Sequence, residues 1–149
     1  MFELSPQILV VEDEPVIADM LKELLTGAGY RVQWAADVIS ALSALEHHAI
    51  DLITLDIELG TYSGSGLLAL LKTDPRTRSI PVIVLTSCQV GANVRRLAEQ
   101  VLAKPFSIGP LLQSIDASLN HRDQRLGSSW SKPALDGNLE LEVAGEVLD

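Results

Sequence analysis

Glu12, Asp13, Asp56, Thr86 and Lys104 are polar residues that each follow a short apolar run. Glu12 and Asp13 come after Gln7-Ile8-Leu9-Val10-Val11, and Asp56 after Asp51-Leu52-Ile53-Thr54-Leu55. Thr86 follows Ile80-Pro81-Val82-Ile83-Val84-Leu85, and Lys104 follows Val101-Leu102-Ala103. Carboxylates held about 4 Å apart repel by about 4 kcal/mol per pair at an effective dielectric near 20. A group of them therefore takes up a cation or protons. Mg²⁺ is the economical cation, because it prefers one or two carboxylates plus waters and phosphate oxygens to a full protein cage, and this implies a phosphorylated ligand. With the metal masking its charge, Asp56 can act as an oxygen nucleophile toward phosphorus and form an acyl phosphate. Lys104 would neutralise the growing negative charge, and Thr86 would donate a hydrogen bond to a phosphoryl oxygen.

That chemistry requires elements that bring distant residues to one place. The run 7–11 is nearly all apolar, as expected of a strand buried on both faces that emerges at the charged Glu12-Asp13-Glu14. Pro15 suits a first helical position, and Ile17, Met20, Leu21, Leu24 and Leu25 recur at three- and four-residue spacing until Gly27 and Gly29. Tyr30-Arg31-Val32-Gln33-Trp34 alternates as a half-exposed edge strand, and Asp37 can cap a helix carrying Ala41, Leu42 and Leu45. The cycle repeats with a helix through Leu67, Leu68, Leu70 and Leu71, then a shorter one around residues 90–98. It closes with a helix that Ser107 can cap, whose Ile108, Leu111, Leu112, Ile115 and Leu119 share one face. Strands alternating with helices, without hairpin turns, imply right-handed crossovers and a doubly wound α/β fold with a parallel sheet. In such sheets ligands bind beyond the carboxyl ends of the strands, where the strand order reverses. The topology alone thus gathers the polar residues on one edge.

Composition narrows the class. A length of 149 residues with 47% hydrophobic content supplies the core of a single domain. No apolar run approaches the eighteen or so residues of a membrane span, and Met1-Phe2-Glu3-Leu4 has no basic n-region, so a soluble, unprocessed, cytoplasmic protein is expected. The single Cys88 excludes an intramolecular disulfide framework. A formal net charge of −9 repels phosphate backbones, which disfavours direct nucleic-acid binding.

The runs resemble the receiver domain of bacterial two-component response regulators, the CheY-like superfamily. The likeness lies in Ile8-Leu9-Val10-Val11-Glu12-Asp13-Glu14-Pro15, Asp51-Leu52-Ile53-Thr54-Leu55-Asp56-Ile57, Ile80-Pro81-Val82-Ile83-Val84-Leu85-Thr86-Ser87 and Leu102-Ala103-Lys104-Pro105-Phe106. It covers residues 7–119. It implies a flavodoxin-like sheet of order 2-1-3-4-5 flanked by five helices, the fourth of them shortened here. It also implies that Asp56 is the phosphoacceptor, that Asp13 binds Mg²⁺ directly and Glu12 mainly through water, and that the Glu58 carbonyl completes the metal's protein contacts. Lys104 and Thr86 keep the roles given above, and Lys104-Pro105 is implied to be a cis peptide. A sensor histidine kinase or histidine phosphotransfer protein is the implied donor. Phosphorylation is implied to draw the threonine inward and reshape the face of helix four, strand five and helix five, a local switch with a remote readout for a downstream protein. Self-association into a homodimer is left open.

The chain departs from the family pattern in places. Gly60 replaces the usual proline, so the loop Gly60-Thr61-Tyr62-Ser63-Gly64-Ser65-Gly66 is expected to be looser. The stretch from Thr86 to Lys104 is a few residues short, and Val101 stands where many relatives carry the aromatic residue that swings with the threonine. Glu58 and Cys88, two residues beyond Asp56 and Thr86, flank the phosphoryl position and tune its lifetime in the family. Taken singly, each polar residue has an ordinary reading: helix-start acids, a solvated strand end, a strand-end hydroxyl, an exposed cation. Their joint placement on separate strand ends, with Pro105 after Lys104, favours the site. His47 and His48 do not share a helical face and are read as solvent-exposed, Cys88 as a packed thiol, and Trp34 as packing at a sheet edge.

The receiver is expected to span 1–120, followed by an acidic tail over 121–149 that begins with a linker. The residues from Trp130 onward carry Asp136, Glu140, Glu142, Glu146 and Asp149 against Lys132 alone, and are too few for a helix-turn-helix effector. Leu139-Glu140-Leu141-Glu142-Val143 fits either an added strand or a flexible tail. The expected protein is a phosphoacceptor switch and not an enzyme. The competing readings are a pseudo-receiver that binds partners without phosphorylation, and a Mg²⁺-dependent phosphatase, which would need a second aspartate where Glu58 stands.

Overall fold

The structure, a computed structural model, describes residues 5–59 and 63–126. Strands and helices alternate: β1 (Gln7–Val11), α1 (Pro15–Gly27), β2 (Arg31–Ala35), α2 (Val38–His47), β3 (Leu52–Asp56), α3 (Gly64–Thr73), β4 (Val82–Thr86), α4 (Ala92–Leu97), β5 (Gln100–Ala103) and α5 (Ile108–Leu126). The strands form one five-stranded sheet of order β2-β1-β3-β4-β5, parallel in every pair. The doubly wound fold expected from the sequence is therefore present, with a fourth helix of only 6 residues.

Period-2 alternation divides the sheet's side chains between two cores. Ile8, Val10, Leu52, Ile83 and Leu85 pack with Leu21 and Leu25 of α1 and with Ile108, Leu111, Leu112 and Ile115 of α5. Leu9, Val11, Ile53, Leu55, Val82 and Val84 pack on the opposite face with Ala41 of α2, Leu67, Leu68 and Leu71 of α3, and Val94 of α4. The central strands β1, β3 and β4 are buried along their whole length. Their runs accordingly lack a polar face.

Local chemistry sets the element ends. Pro15 opens α1, where its missing N–H costs nothing. The helix closes as Ala28 N donates to Leu24 and Leu25 and Gly29 adopts φ 100°, a left-handed conformation that a side chain would strain. Asp37 caps α2 by accepting from Ser40 N at 2.7 Å. Ser63 caps α3 through Ser65 N at 3.0 Å.

Several boundaries differ from the expectation. Tyr30 N donates to Leu25 O, so Tyr30 finishes the turn after α1 and β2 starts one residue later. Asp56 is itself the last residue of β3, in register with Leu85. Pro81 has no N–H to give, and its carbonyl accepts from Ile53 N just before β4 begins. The expected linker at residues 121–125 is corrected: these residues belong to α5, which runs to Leu126. Arg122 donates to both the carbonyl and the carboxylate of Asp51, each at 3.0 Å, which holds this end of α5 to the start of β3. Residues 60–62 of the loop expected to be loose, and the tail from 127 on, lie outside the described residues. No helix among the described residues is long and apolar enough to cross a membrane.

Candidate functional site

The carboxyl ends of β1, β3, β4 and β5 bring Glu12, Asp13, Asp56, Thr86 and Lys104 to one edge of the sheet. Glu12, Asp13 and Asp56 each present a carboxylate oxygen, and these atoms lie within 4.8 Å of one another. Lys104 Nζ stands 3.0 Å from Glu12 Oε1 and 3.3 Å from Asp56 Oδ2. The Lys104-Pro105 peptide is cis. An open cleft of about 630 Å³ lies over these groups, lined by Asp13, Asp56, Glu58, Ser87, Lys104 and Pro105 among others.

The carboxylates are held by short local bonds. Glu58 N donates to Asp56 Oδ1 at 2.9 Å, and Glu14 N to Glu12 Oε2 at 3.3 Å. Gly64 makes the turn after Asp56 possible. A Cβ there would meet the Asp56 carbonyl at 2.6 Å and Ile57 Cα at 2.7 Å, closer than main chain tolerates. The Gly64 N–H instead bonds the Ile57 carbonyl at 3.0 Å.

Glu12 is almost fully buried. Desolvation, followed by the nearby Asp56 charge, outweighs the attraction of Lys104 and lifts its carboxyl to about 7. Burial pulls the Lys104 ammonium down, yet Glu12 and Asp56 more than offset this and leave its pKa above the ordinary lysine value. A site with several carboxylates and one ammonium retains excess negative charge. All its donors are hard oxygens, the set that suits a divalent ion such as Mg²⁺, and the residues present fit that cation.

Thr86 is buried at the neighbouring strand end but does not line the cleft. Its hydroxyl lies 3.1 Å from Cys88 Sγ and accepts from Cys88 N at 3.2 Å. The expectation of a packed thiol is corrected, since Cys88 is exposed. The Glu58 carboxylate accepts from Ser87 Oγ at 2.6 Å, and this bond is the main cause of a pKa below the usual carboxylate value. His47 and His48 are exposed, as expected. Val101, half-buried in β5, packs on the α2–α4 face of the sheet.

Sequence reasoning missed the Glu58–Ser87 bond, the steric need for Gly64, and the bond from Trp34 Nε1 to the Glu12 carbonyl at 2.7 Å. Gly64 had a signal, being one of several glycines after a strand-end aspartate. The other two had none, because strand alternation gives a face and not a hydrogen-bond partner.

A parallel sheet with an acidic, cation-ready cleft and a lysine at its switch point defines the class. Residues 8–116 match the family model for the response regulator receiver domain, and the chain belongs to that family. It is a receiver domain of response regulators, the signalling modules of two-component systems. The chain is 34% identical over 123 residues to RpaA of Synechocystis sp., described as a DNA-binding dual master transcriptional regulator; the match covers 80% of this chain and 51% of that protein. The chain thus spans about half the length of the curated relatives of this kind that it matches. Among solved structures it is similar to a CheY-like receiver domain protein from Methanospirillum hungatei, with TM-score 0.76 and 26% identity over 81% of this chain and 98% of the other. It is also similar to the response regulator TrrA of Thermotoga maritima in complex with Mg²⁺-BeF, with TM-score 0.70 and 28% identity over 76% and 99% of the two chains.

Proposed function

We propose that this receiver accepts a phosphoryl group on Asp56 in a Mg²⁺-dependent reaction and thereby switches the binding of a partner protein. The observation that carries this reading is the convergence of Glu12, Asp13 and Asp56 within 4.8 Å opposite the Lys104 ammonium. Asp13, Asp56 and the Glu58 carbonyl would hold Mg²⁺, with Glu12 acting mainly through water. When bound, the ion masks the carboxylate charge and orients phosphoryl oxygens. An Asp56 oxygen then forms the new bond to phosphorus as the bond from phosphorus to the donor breaks, and the donor leaves with that electron pair. Lys104 meets the charge that develops on the phosphoryl oxygens. Thr86 exchanges its Cys88 contact for a phosphoryl oxygen.

A sensor histidine kinase or a histidine phosphotransfer protein is the proposed donor, a downstream protein the proposed target, and the cytoplasm the proposed compartment. That the similar response regulator TrrA was solved in complex with Mg²⁺-BeF supports a divalent ion as a ligand here. The bond from Ser87 favours the ionised form of the Glu58 carboxyl, which makes it a poorer acid for a phosphatase and favours an acceptor over a turnover enzyme. The receiver unit is taken to extend to the end of α5. Incubation with acetyl phosphate and Mg²⁺ is expected to add one phosphoryl mass to the intact chain, and Asp56→Asn to abolish it. A full adduct on that variant would overturn the assignment. Equal partner affinity with and without the phosphoryl group would instead favour the pseudo-receiver.

A further inference from the structure

Trp34 has no part in the chemistry above, yet its side chain is tied to the site. It sits next to last in the edge strand β2, in register with Val10. Trp34 is 46% exposed, an amphipathic aromatic whose polar N–H can reach a partner. That N–H donates to the Glu12 carbonyl at 2.7 Å. Glu12 N donates to Ala35 O, and β1 and β2 pair only as far as Val11 and Ala35. The Glu12 carbonyl thus lies where the main-chain ladder has run out, and an indole from the neighbouring strand takes over its acceptor.

The peptide joining Glu12 to Asp13 is planar, so fixing its oxygen also fixes the direction in which Asp13 leaves the strand. The Glu12 side chain is anchored on the other side by Lys104 at 3.0 Å. We propose that Trp34 is a positioning residue that holds this peptide so that Glu12 and Asp13 face a divalent cation together. Its indole then senses whether the cleft is occupied. The inference rests on the reading of the cleft as a Mg²⁺ site.

Two measurements on the full chain test it. The chain contains two tryptophans, so Trp130→Phe leaves Trp34 as the single emitter. Its emission is expected to change saturably with added MgCl₂, and the change to vanish when Asp13→Asn is added. Separately, Trp34→Phe keeps a ring but removes the donor. Calorimetric titration with MgCl₂ is expected to show affinity weakened about fivefold, the size of one lost hydrogen bond. Phosphorylation by acetyl phosphate at saturating Mg²⁺ should still reach the wild-type plateau, and the metal-free Tm should fall by no more than the few degrees that one hydrogen bond is worth. A general loss of structure would lower the plateau and drop the Tm much further; a positioning role shows chiefly in the Mg²⁺ dependence. Wild-type affinity in Trp34→Phe, or Trp34 emission indifferent to Mg²⁺ that calorimetry registers as bound, overturns the role of Trp34 and leaves the cleft reading intact. No calorimetric binding to the wild-type chain overturns the cleft reading itself.

Discussion

Glu12 is the residue on which the electrostatics of the cleft turn. Its carboxyl is lifted to about 7 by burial and then by Asp56, against the pull of Lys104. A carboxyl whose folded pKa lies above its unfolded value of 4.5 binds more protons in the native state between these two limits. Its contribution to stability is therefore greatest below 4.5 and declines as pH rises toward 7. In Mg²⁺-free buffer the melting temperature should fall across this window, by an amount on the order of a few kcal/mol in unfolding free energy. Glu12→Gln should flatten the fall, and so should millimolar Mg²⁺, which supplies the missing positive charge. Thermal melts at several pH values check this, and a melting temperature that rises over the same window would contradict it. The identities of these residues were legible in the sequence because each ends an apolar run. Their pairing was not: nothing in the spacing of Glu12 and Lys104 says that the ammonium chooses Glu12 Oε1 at 3.0 Å and stands slightly farther from Asp56.

The turn from β3 into α3 decides where Asp56 points, and it depends on one glycine. A methyl group at Gly64 would collide with the main chain of Asp56 and Ile57, which cannot swing aside as a side-chain tip could. Gly64→Ala should cost roughly 2–4 kcal/mol, in the range of severe steric changes, and should slow phosphoryl uptake by displacing the acceptor. A methyl group at Gly66, in the same helix, would meet nothing within 4 Å. Gly66→Ala should therefore stabilise by about 0.5–1 kcal/mol through helix propensity alone. Urea denaturation of the two variants checks the contrast, and equal effects would refute it. The elements themselves were legible from periodicity, since buried strands and amphipathic helices have distinct patterns. Their ends were less so. The polar stretch His121-Arg122-Asp123-Gln124-Arg125 suggested a linker, yet arginine and glutamine are good helix formers and no breaker occurs before Gly127. Polar residues of these types continue a helix without breaking it.

Across the whole molecule, the cleft lies at the carboxyl ends of the strands, while the end of α5 is pinned to the start of β3, where Asp51 immediately precedes the strand. Arg122 is largely buried against a half-exposed Asp51 and also bonds its carbonyl, so the tie exceeds an ordinary surface ion pair. A chain ending at Leu126 retains the Arg122 tie. One ending at Asn120 should lose several degrees, because the last helical turns and the Arg122 tie go with it. Equal melting temperatures for the two would show that the tie contributes nothing. The parallel topology was the most legible feature of all, because alternating strands and helices with short connections leave few arrangements. The net charge of −9 likewise belongs to this scale: it suits the proposed protein partner better than a phosphate backbone laid against this chain.

The central claim is that a divalent ion and Lys104 make Asp56 the phosphoacceptor. It is tested most directly by treating the chain with acetyl phosphate, reducing the acyl phosphate with borohydride, and mapping the altered residue by peptide mass analysis. The account predicts modification at Asp56 alone, and only when Mg²⁺ is present. Modification of a different carboxylate, or full modification without a divalent ion, would contradict it.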